Sequence, residues 1–265
     1  MKTIKILCIG DIVSVPGRSA VRNLLPAITE EHRPDIVIAN GENLSHGNGI
    51  SRQHYREMCE SGIDAFTLGN HAWGHKDAYN LLKYERNIIR PLNFDKRCAG
   101  SGSCVIDKNG ISVGIINLIG RVYMPVPCDS PFNALEREVE RLKKKTNIII
   151  VDFHAEATSE KQALGWFADG KVSAVFGTHT HVQTADEFVM PKGTGYISDL
   201  GMTGAVYSVL GMDKNSIVER FLTGIHGRFE LADGRYRLSG AVFEIDASDG
   251  KCTGITRINA MQLPH

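Results

Sequence analysis

The chain has 265 residues, room for one large α/β domain or roughly two average ones. Its 30 basic and 30 acidic residues cancel, which excludes a nucleic-acid track held by bulk charge. No apolar run reaches the ~20 residues of a membrane helix. No signal-peptide pattern follows Met1, and the cysteines form no Cys-x-x-Cys pair, so reduced thiols in a cytoplasmic protein are expected.

The first half alternates strand and helix, the pattern of an α/β layered fold. Residues 3–10 read as a strand ending at Asp11, and Pro16-Gly17-Arg18 leads into a helix over 18–32 with Pro26 inside it. A second strand, 35–40, runs into the Gly-rich loop 41–49. Ser51 is a natural N-cap for a helix to Glu60. A third strand, 63–68, stops at Gly69-Asn70-His71, and a helix over 76–85 follows.

The second half begins with a hairpin, 102–107 and 111–118, around Lys108-Asn109-Gly110. Ser130 and Pro131 read as N-cap and first residue of a helix to Lys145. A strand over 147–153 carries His154, a helix covers Ser159 to Ala168, and a strand over 172–177 precedes His179 and His181. The tail predicts two hairpins: 228–231 with 236–238 around Asp233-Gly234, and 241–245 with 254–258 around Asp249-Gly250. The expected architecture is an α/β sandwich of mixed β-sheets packed face to face and flanked by helices, in a single domain over residues 1–265.

Five strand ends deliver chemistry-bearing residues: Asp11; Glu42 and Asn43; Asn70 and His71; His154; His179 and His181. Open α/β sheets place their sites at strand carboxyl ends. Along extended backbone His179 and His181 point the same way. A mixed nitrogen and oxygen set with no thiolate disfavours a structural zinc site. It is too large for one metal and suits two metals sharing a bridge, with Glu42 as that bridge. Two divalent ions outweigh the carboxylates, so a phosphate is the expected substrate. A metal-bridging hydroxide is the expected nucleophile, and His71, beside Asn70, the expected general acid for the leaving oxygen. Arg18 and Arg121 are candidate phosphate contacts, Trp73 a pocket wall or core residue, and Glu156 and Lys161 either supports of the site or helix-start pairs. His46 and His75 are read as solvent-facing, and Cys8 as core.

The motifs Gly10-Asp11-Ile12-Val13, Asn40-Gly41-Glu42-Asn43, Gly69-Asn70-His71, Asp152-Phe153-His154-Ala155-Glu156, Gly177-Thr178-His179-Thr180-His181 and Ser198-Asp199-Leu200-Gly201-Met202-Thr203-Gly204 span nearly the whole chain. Together they resemble the calcineurin-like metallophosphoesterases, in the YmdB-type subgroup of bacterial 2′,3′-cyclic nucleotide 2′-phosphodiesterases. Asp11-Ile12-Val13 stands where the broader superfamily has Asp-x-His, Glu42 replaces its bridging Asp, and Ser14 stands where the subgroup usually has Gly.

The resemblance implies that Asp11, Glu42, Asn43 and His181 hold one metal, that Glu42, Asn70, His154 and His179 hold the other, and that His71 is the acid. It implies iron or manganese, and opening of a 2′,3′-cyclic nucleotide at the 2′ bond to leave a 3′-phosphate. No other cofactor is expected. The loop through Met202-Thr203-Gly204 is a candidate wall of the substrate pocket. The alternatives are a phosphomonoesterase or nucleotidase, and a metal-containing nucleotide- or RNA-binding regulator. RNA ends and a homo-oligomeric partner complete the expected interactions, with no membrane.

Overall fold

The computed structural model describes residues 2–225, 227 and 229–263. Strands β1 (Thr3–Ile9), β2 (Ile36–Asn40), β3 (Ala65–Thr67) and β4 (Ile88–Ile89) alternate with helices α1 (Ser14–His32), α2 (Arg52–Glu60) and α3 (Ala78–Tyr84). The hairpin of β5 (Ser103–Lys108) and β6 (Ile111–Ile119) follows, then α4 (Pro131–Leu142), β7 (Ile148–His154), α5 (Thr158–Ala168) and β8 (Ala174–Thr178). Short strands β9 (Phe188–Val189), β10 (Gly195–Ile197), β11 (Gly204–Ala205), β12 (Ser208–Val209) and β13 (Met212–Asp213) lead to α6 (Lys214–Thr223). The long pair β14 (Tyr236–Asp246) and β15 (Cys252–Met261) comes last.

Two mixed sheets form. One runs β11-β14-β1-β2-β3-β4, with β15 also on β14; the other runs β5-β6-β7-β8-β10-β9. Strand parity explains the layering. Ile4, Ile6 and Cys8 of β1 face Ile148 and Ile150 of β7 and Phe176 of β8 across the space between the sheets. Leu7 and Ile9 point the other way, onto Val21 and Leu25 of α1 and Met58 of α2. Ile149, Val151 and Phe153 pack on Leu135 and Val139 of α4 and Leu164 of α5. Strands covered on both faces carry unbroken apolar runs, and each fully buried Ile or Leu contributes about 1.5–3 kcal/mol. The sandwich of mixed sheets between helices is the architecture expected from the sequence.

Within each sheet the site-bearing strands are parallel, so their carboxyl ends emerge along one edge. Asn40 Nδ2, at the end of β2, donates to Asp152 Oδ2 on β7 across 3.2 Å, and Thr67 of β3 donates to the same oxygen. The two edges therefore meet.

Two local expectations change. Helix α1 begins at Ser14, four residues early, because Pro16 sits in its first turn, where a missing N–H costs nothing. Pro26 remains inside the helix, which buried Leu25 and Ile28 hold against the core on either side of it. Among the described residues the first tail hairpin does not form. Arg228 lies outside the described residues; Glu230 and Ala232 instead pair with Asp213 and Gly211, and Tyr236 and Arg237 pair with β11. Only the 241–245 and 254–258 hairpin, within β14 and β15, matches the turn signal.

Candidate active site

The residues from the five strand ends form one contiguous cluster. Glu42 Oε1 lies 3.2 Å from His154 Nε2 and 3.4 Å from His71 Nδ1. His154 Nε2 also lies 3.0 Å from Asn70 Oδ1 and 3.1 Å from His179 Nδ1. Asp11 Oδ1 lies 3.8 Å from His181 Nε2 and 4.0 Å from His154 Nδ1. Asn43 joins the remaining members, with Oδ1 2.8 Å from His71 Nδ1 and Nδ2 3.3 Å from His181 Nε2. A half-turn of this amide exchanges the oxygen and nitrogen that it offers.

Local structure explains this geometry. Gly69 is required at the end of β3, since a Cβ there would fall 2.2 Å from the His154 ring and 2.4 Å from Glu42 Oε2. Asn70 and His71 follow in a turn, and the His71 N–H donates to Glu42 Oε2 at 3.0 Å. Ser14 takes φ +54°, and its N–H donates to the Asn43 carbonyl, tying the Asp11 loop to the Glu42 loop. Left-handed φ is the reason glycine suits this position.

His179 and His181 reach the cluster by a route that the extended-backbone reading does not describe. Both lie beyond β8, with φ of +97° and +65°. Non-glycine residues rarely hold such angles without support. Support comes from Asp199, whose Oδ2 accepts the Thr180 N–H at 3.2 Å and the Thr180 hydroxyl at 2.8 Å. Buried Lys161 pairs with that same oxygen at 2.6 Å and donates to the Thr178 carbonyl at 2.9 Å. Asp11 Oδ2 accepts the His179 N–H at 3.1 Å. The two imidazoles consequently serve different ends of the cluster.

Hydrogen bonds also select which nitrogens face inward. His154 Nδ1–H donates to Thr178 Oγ1 at 2.9 Å, and that hydroxyl donates on to Asp152 Oδ1 at 2.7 Å. Nε2 is left as the nitrogen facing Glu42, Asn70 and His179. Glu156 Oε2 sits 3.1 Å from His179 Nε2, leaving Nδ1 inward. Asp152, Thr178 and Asp199 stand inside the sequence motifs, but sequence alone assigns them no role. The available signal was a lone carboxylate within the apolar run of β7.

Charge follows from burial and pairing. Burial opposes ionisation of Glu42, but the facing His154 and His71 outweigh it and bring its carboxyl down to about 2. Burial opposes protonation of His154, yet Glu42, Asp11 and Asp152 carry it up to about 9. His179 falls to about 3, through burial and then the neighbouring His154. Burial raises Asp11, and its Oδ1 is buried without a hydrogen-bond partner. An unpaired buried acceptor costs about 1–3 kcal/mol, and a cation beside it removes that cost. Glu42, His154 and His179 bring ligating atoms within 4.8 Å of one another. The donor set and the orphaned carboxylate oxygen fit divalent metal ions.

Other candidates separate from the cluster. Arg18 is buried, bonded to the Leu44 carbonyl and paired with Glu57 at 3.2 Å, so it braces helices rather than phosphate. Arg121 and Trp73 are both exposed, so Trp73 is not a core residue. Cys8 lies in the core. His46 is exposed, while His75 is half-buried 3.7 Å from Asp77. Thr203 is buried and exchanges backbone bonds with Asp11 and Val13, so the 202–204 loop braces the Asp11 loop instead of lining a pocket. A cleft of 620 Å³ opens beside His71, between residues 46–48 and residues 212 and 229–231.

Comparison with known proteins places this geometry. The model of the YmdB-like protein family matches residues 7–258. The chain belongs to the YmdB-like family. It is 45% identical over 254 residues to a Bacillus subtilis (strain 168) family relative named 2′,3′-cyclic-nucleotide 2′-phosphodiesterase, covering 96% of each chain. A solved hypothetical protein from Thermus thermophilus superposes with TM-score 0.91 at 41% identity, over 98% of this chain and 100% of that one. A solved Mycoplasma pneumoniae protein described as a novel phosphatase gives TM-score 0.92 at 36% identity, over 98% and 94%. Among the described residues no helix is long and apolar enough to cross a membrane.

Proposed function

We propose that this YmdB-like chain hydrolyses 2′,3′-cyclic nucleotides to 3′-nucleotides as a metal-dependent phosphodiesterase, with residues 1–265 acting as one unit. The observation that carries the reading is the convergence of His154 Nε2, His179 Nδ1, Glu42 Oε1 and Asn70 Oδ1, with Asp11 Oδ1 orphaned beside them. The 45% identity to the Bacillus subtilis enzyme supports the substrate class.

Asp11, Asn43 and His181 would hold one metal ion, Asn70, His154 and His179 a second, and Glu42 both; iron or manganese suits such a set. When bound, these ions supply positive charge for the phosphate and a nucleophile drawn from water at neutral pH. In the overall reaction a new P–O bond forms to the water oxygen as that water loses a proton to solvent, the P–O2′ bond breaks, and O2′ takes a proton. His71 supplies that proton. Its Nδ1 lies 2.8 Å from the Asn43 side-chain amide, a contact that fixes the ring and leaves Nε2 for delivery. The Thr178–Asp152 relay holds His154 in the tautomer that presents Nε2.

The test is product identity with 2′,3′-cyclic AMP, using chelated protein restored with Mn²⁺ or, anaerobically, Fe²⁺. Metal-restored formation of 3′-AMP is the expected result. Metal-loaded protein that leaves the cyclic nucleotide intact overturns the reading and returns the choice to phosphomonoesters or a binding role.

A further inference from the structure

The phosphate chemistry leaves the 620 Å³ cleft without a task. We infer that this cleft is the nucleoside-binding half of the site, and that Glu230 selects guanine by accepting its N1–H and N2–H together. The inference rests on the cyclic-nucleotide reading and deepens it.

Placement comes first. His71 belongs both to the ligand cluster and to the cleft wall. A phosphate seated on the cluster therefore sends its ribose and base past His71 into the cleft. The volume lies within the roughly 300–1,000 Å³ of small-molecule sites. Met212, Phe229 and Leu231 supply apolar surface on one wall, suited to the face of any base.

That wall is tied down on both sides of Glu230. Leu231 bridges to Met212, the Ala232 N–H donates to the Gly211 carbonyl at 2.9 Å, and the Asp213 N–H donates to the Glu230 carbonyl at 2.8 Å. The Arg220 guanidinium sits 4.7 Å from the centre of the Phe229 ring. Gly47 permits the approach of the opposite wall, since a Cβ there would meet Leu231 Cδ2 at 3.0 Å. The Glu230 carboxylate itself has no hydrogen bond or ion pair among the described residues.

Selection follows from hydrogen-bond polarity. An ionised carboxylate only accepts. Guanine offers two adjacent donors, N1–H and N2–H₂, matched to its two oxygens. Adenine and cytosine each place a ring lone pair beside their single amino donor, and that lone pair opposes the second oxygen. Uracil offers one donor between two acceptors. About a tenfold preference for guanine is expected from one such pairing at an exposed position.

The experiment measures binding, by calorimetry, of guanosine 3′-monophosphate, adenosine 3′-monophosphate and inorganic phosphate to Mn²⁺-loaded protein. The guanosine nucleotide should bind about tenfold tighter than the adenosine nucleotide. Glu230→Gln should bring the two within about twofold, and Phe229→Ala should weaken both relative to inorganic phosphate. Equal affinities in the wild type, a ratio that survives Glu230→Gln, or nucleotides bound no tighter than inorganic phosphate would each overturn the inference. Base preference without turnover of any cyclic nucleotide would sink the catalytic reading alone. Turnover without base preference would sink this one alone.

Discussion

The ligand cluster and the cleft wall beside it are built on opposite principles. Asp11, Glu42, Asn43 and His154 are buried at the ends of parallel strands, and each side chain is gripped by another member or by a supporting hydrogen bond. The wall at 229–231 lies near the surface in irregular chain held by a single bridge from Leu231 to Met212, with Phe229 51% exposed. The difference reflects what each must do. Metal ligands and a proton donor lose effect with an ångström of misplacement, whereas an apolar wall against a base tolerates small movement.

Removing the centre of the rigid region should have the largest effect. Glu42→Ala takes away the carboxylate shared by His154 and His71, and steady-state turnover of 2′,3′-cyclic AMP should fall about 1,000-fold or more. His71→Ala should cost roughly 10²–10⁴-fold on cyclic nucleotides. It should cost far less on a p-nitrophenyl diester, whose leaving group needs no proton. An equal loss on both substrates would make His71 an orienting residue for Asn43 rather than the acid.

Gly69→Ala tests rigidity without touching chemistry. Its new Cβ would enter the space of the His154 ring and Glu42, and kcat should drop on the order of 100-fold, the scale of an ångström's displacement. The matching Gly47→Ala, at the cleft, adds strain at φ +74° and meets the flexible ends of Leu231 and Met212, so it should shift the 46–48 loop, spare kcat and raise KM by about tenfold or less. If both variants behave alike, the contrast between the two regions fails.

The support beneath the two late histidines is the next lever. Lys161→Met breaks a buried pair with Asp199 and should cost about 3–5 kcal/mol of stability, read as a lowered midpoint in urea. It should also weaken metal binding, because Asp199 anchors the loop between His179 and His181.

The mildest perturbation, which changes no residue, is pH. His154 in the metal-free fold is raised to about 9, so below that pH it carries a proton that a metal must displace. Glu42, held down to about 2, and His179, held down to about 3, need lose no proton near neutrality. Mn²⁺ affinity should therefore rise with pH, by up to about tenfold per unit between about pH 6 and about pH 8. A flat titration would show that His154 is neutral before the metal arrives.

Much of this architecture is written in local pattern. Apolar runs such as 147–153 are long because β7 is covered on both faces, so strand identity and depth of burial are read together. Asp11, Glu42, Asn70, His154 and His179 stand out because polar residues end those runs at equivalent places. Ser51 and Ser130 cap their helices as their positions suggest. The 228–231 hairpin misled because a turn signal at Asp233-Gly234 states that the chain reverses, not which strand it will meet. Residues 229–231 found β13, and 236–237 found β11, through contacts that no local window contains.

Residue order thus establishes the layers, the strand ends and the set of donors, because burial periodicity and donor chemistry are properties of short segments. Tertiary structure alone decides how the donors are aimed. The left-handed backbone at His179 and His181 is held by Asp199 and Lys161, from separate elements. The facing nitrogen of His154 is chosen by Thr178 and Asp152 on neighbouring strands. Direction at a site is set by long-range hydrogen bonds, and those exist only once the two sheet edges have met.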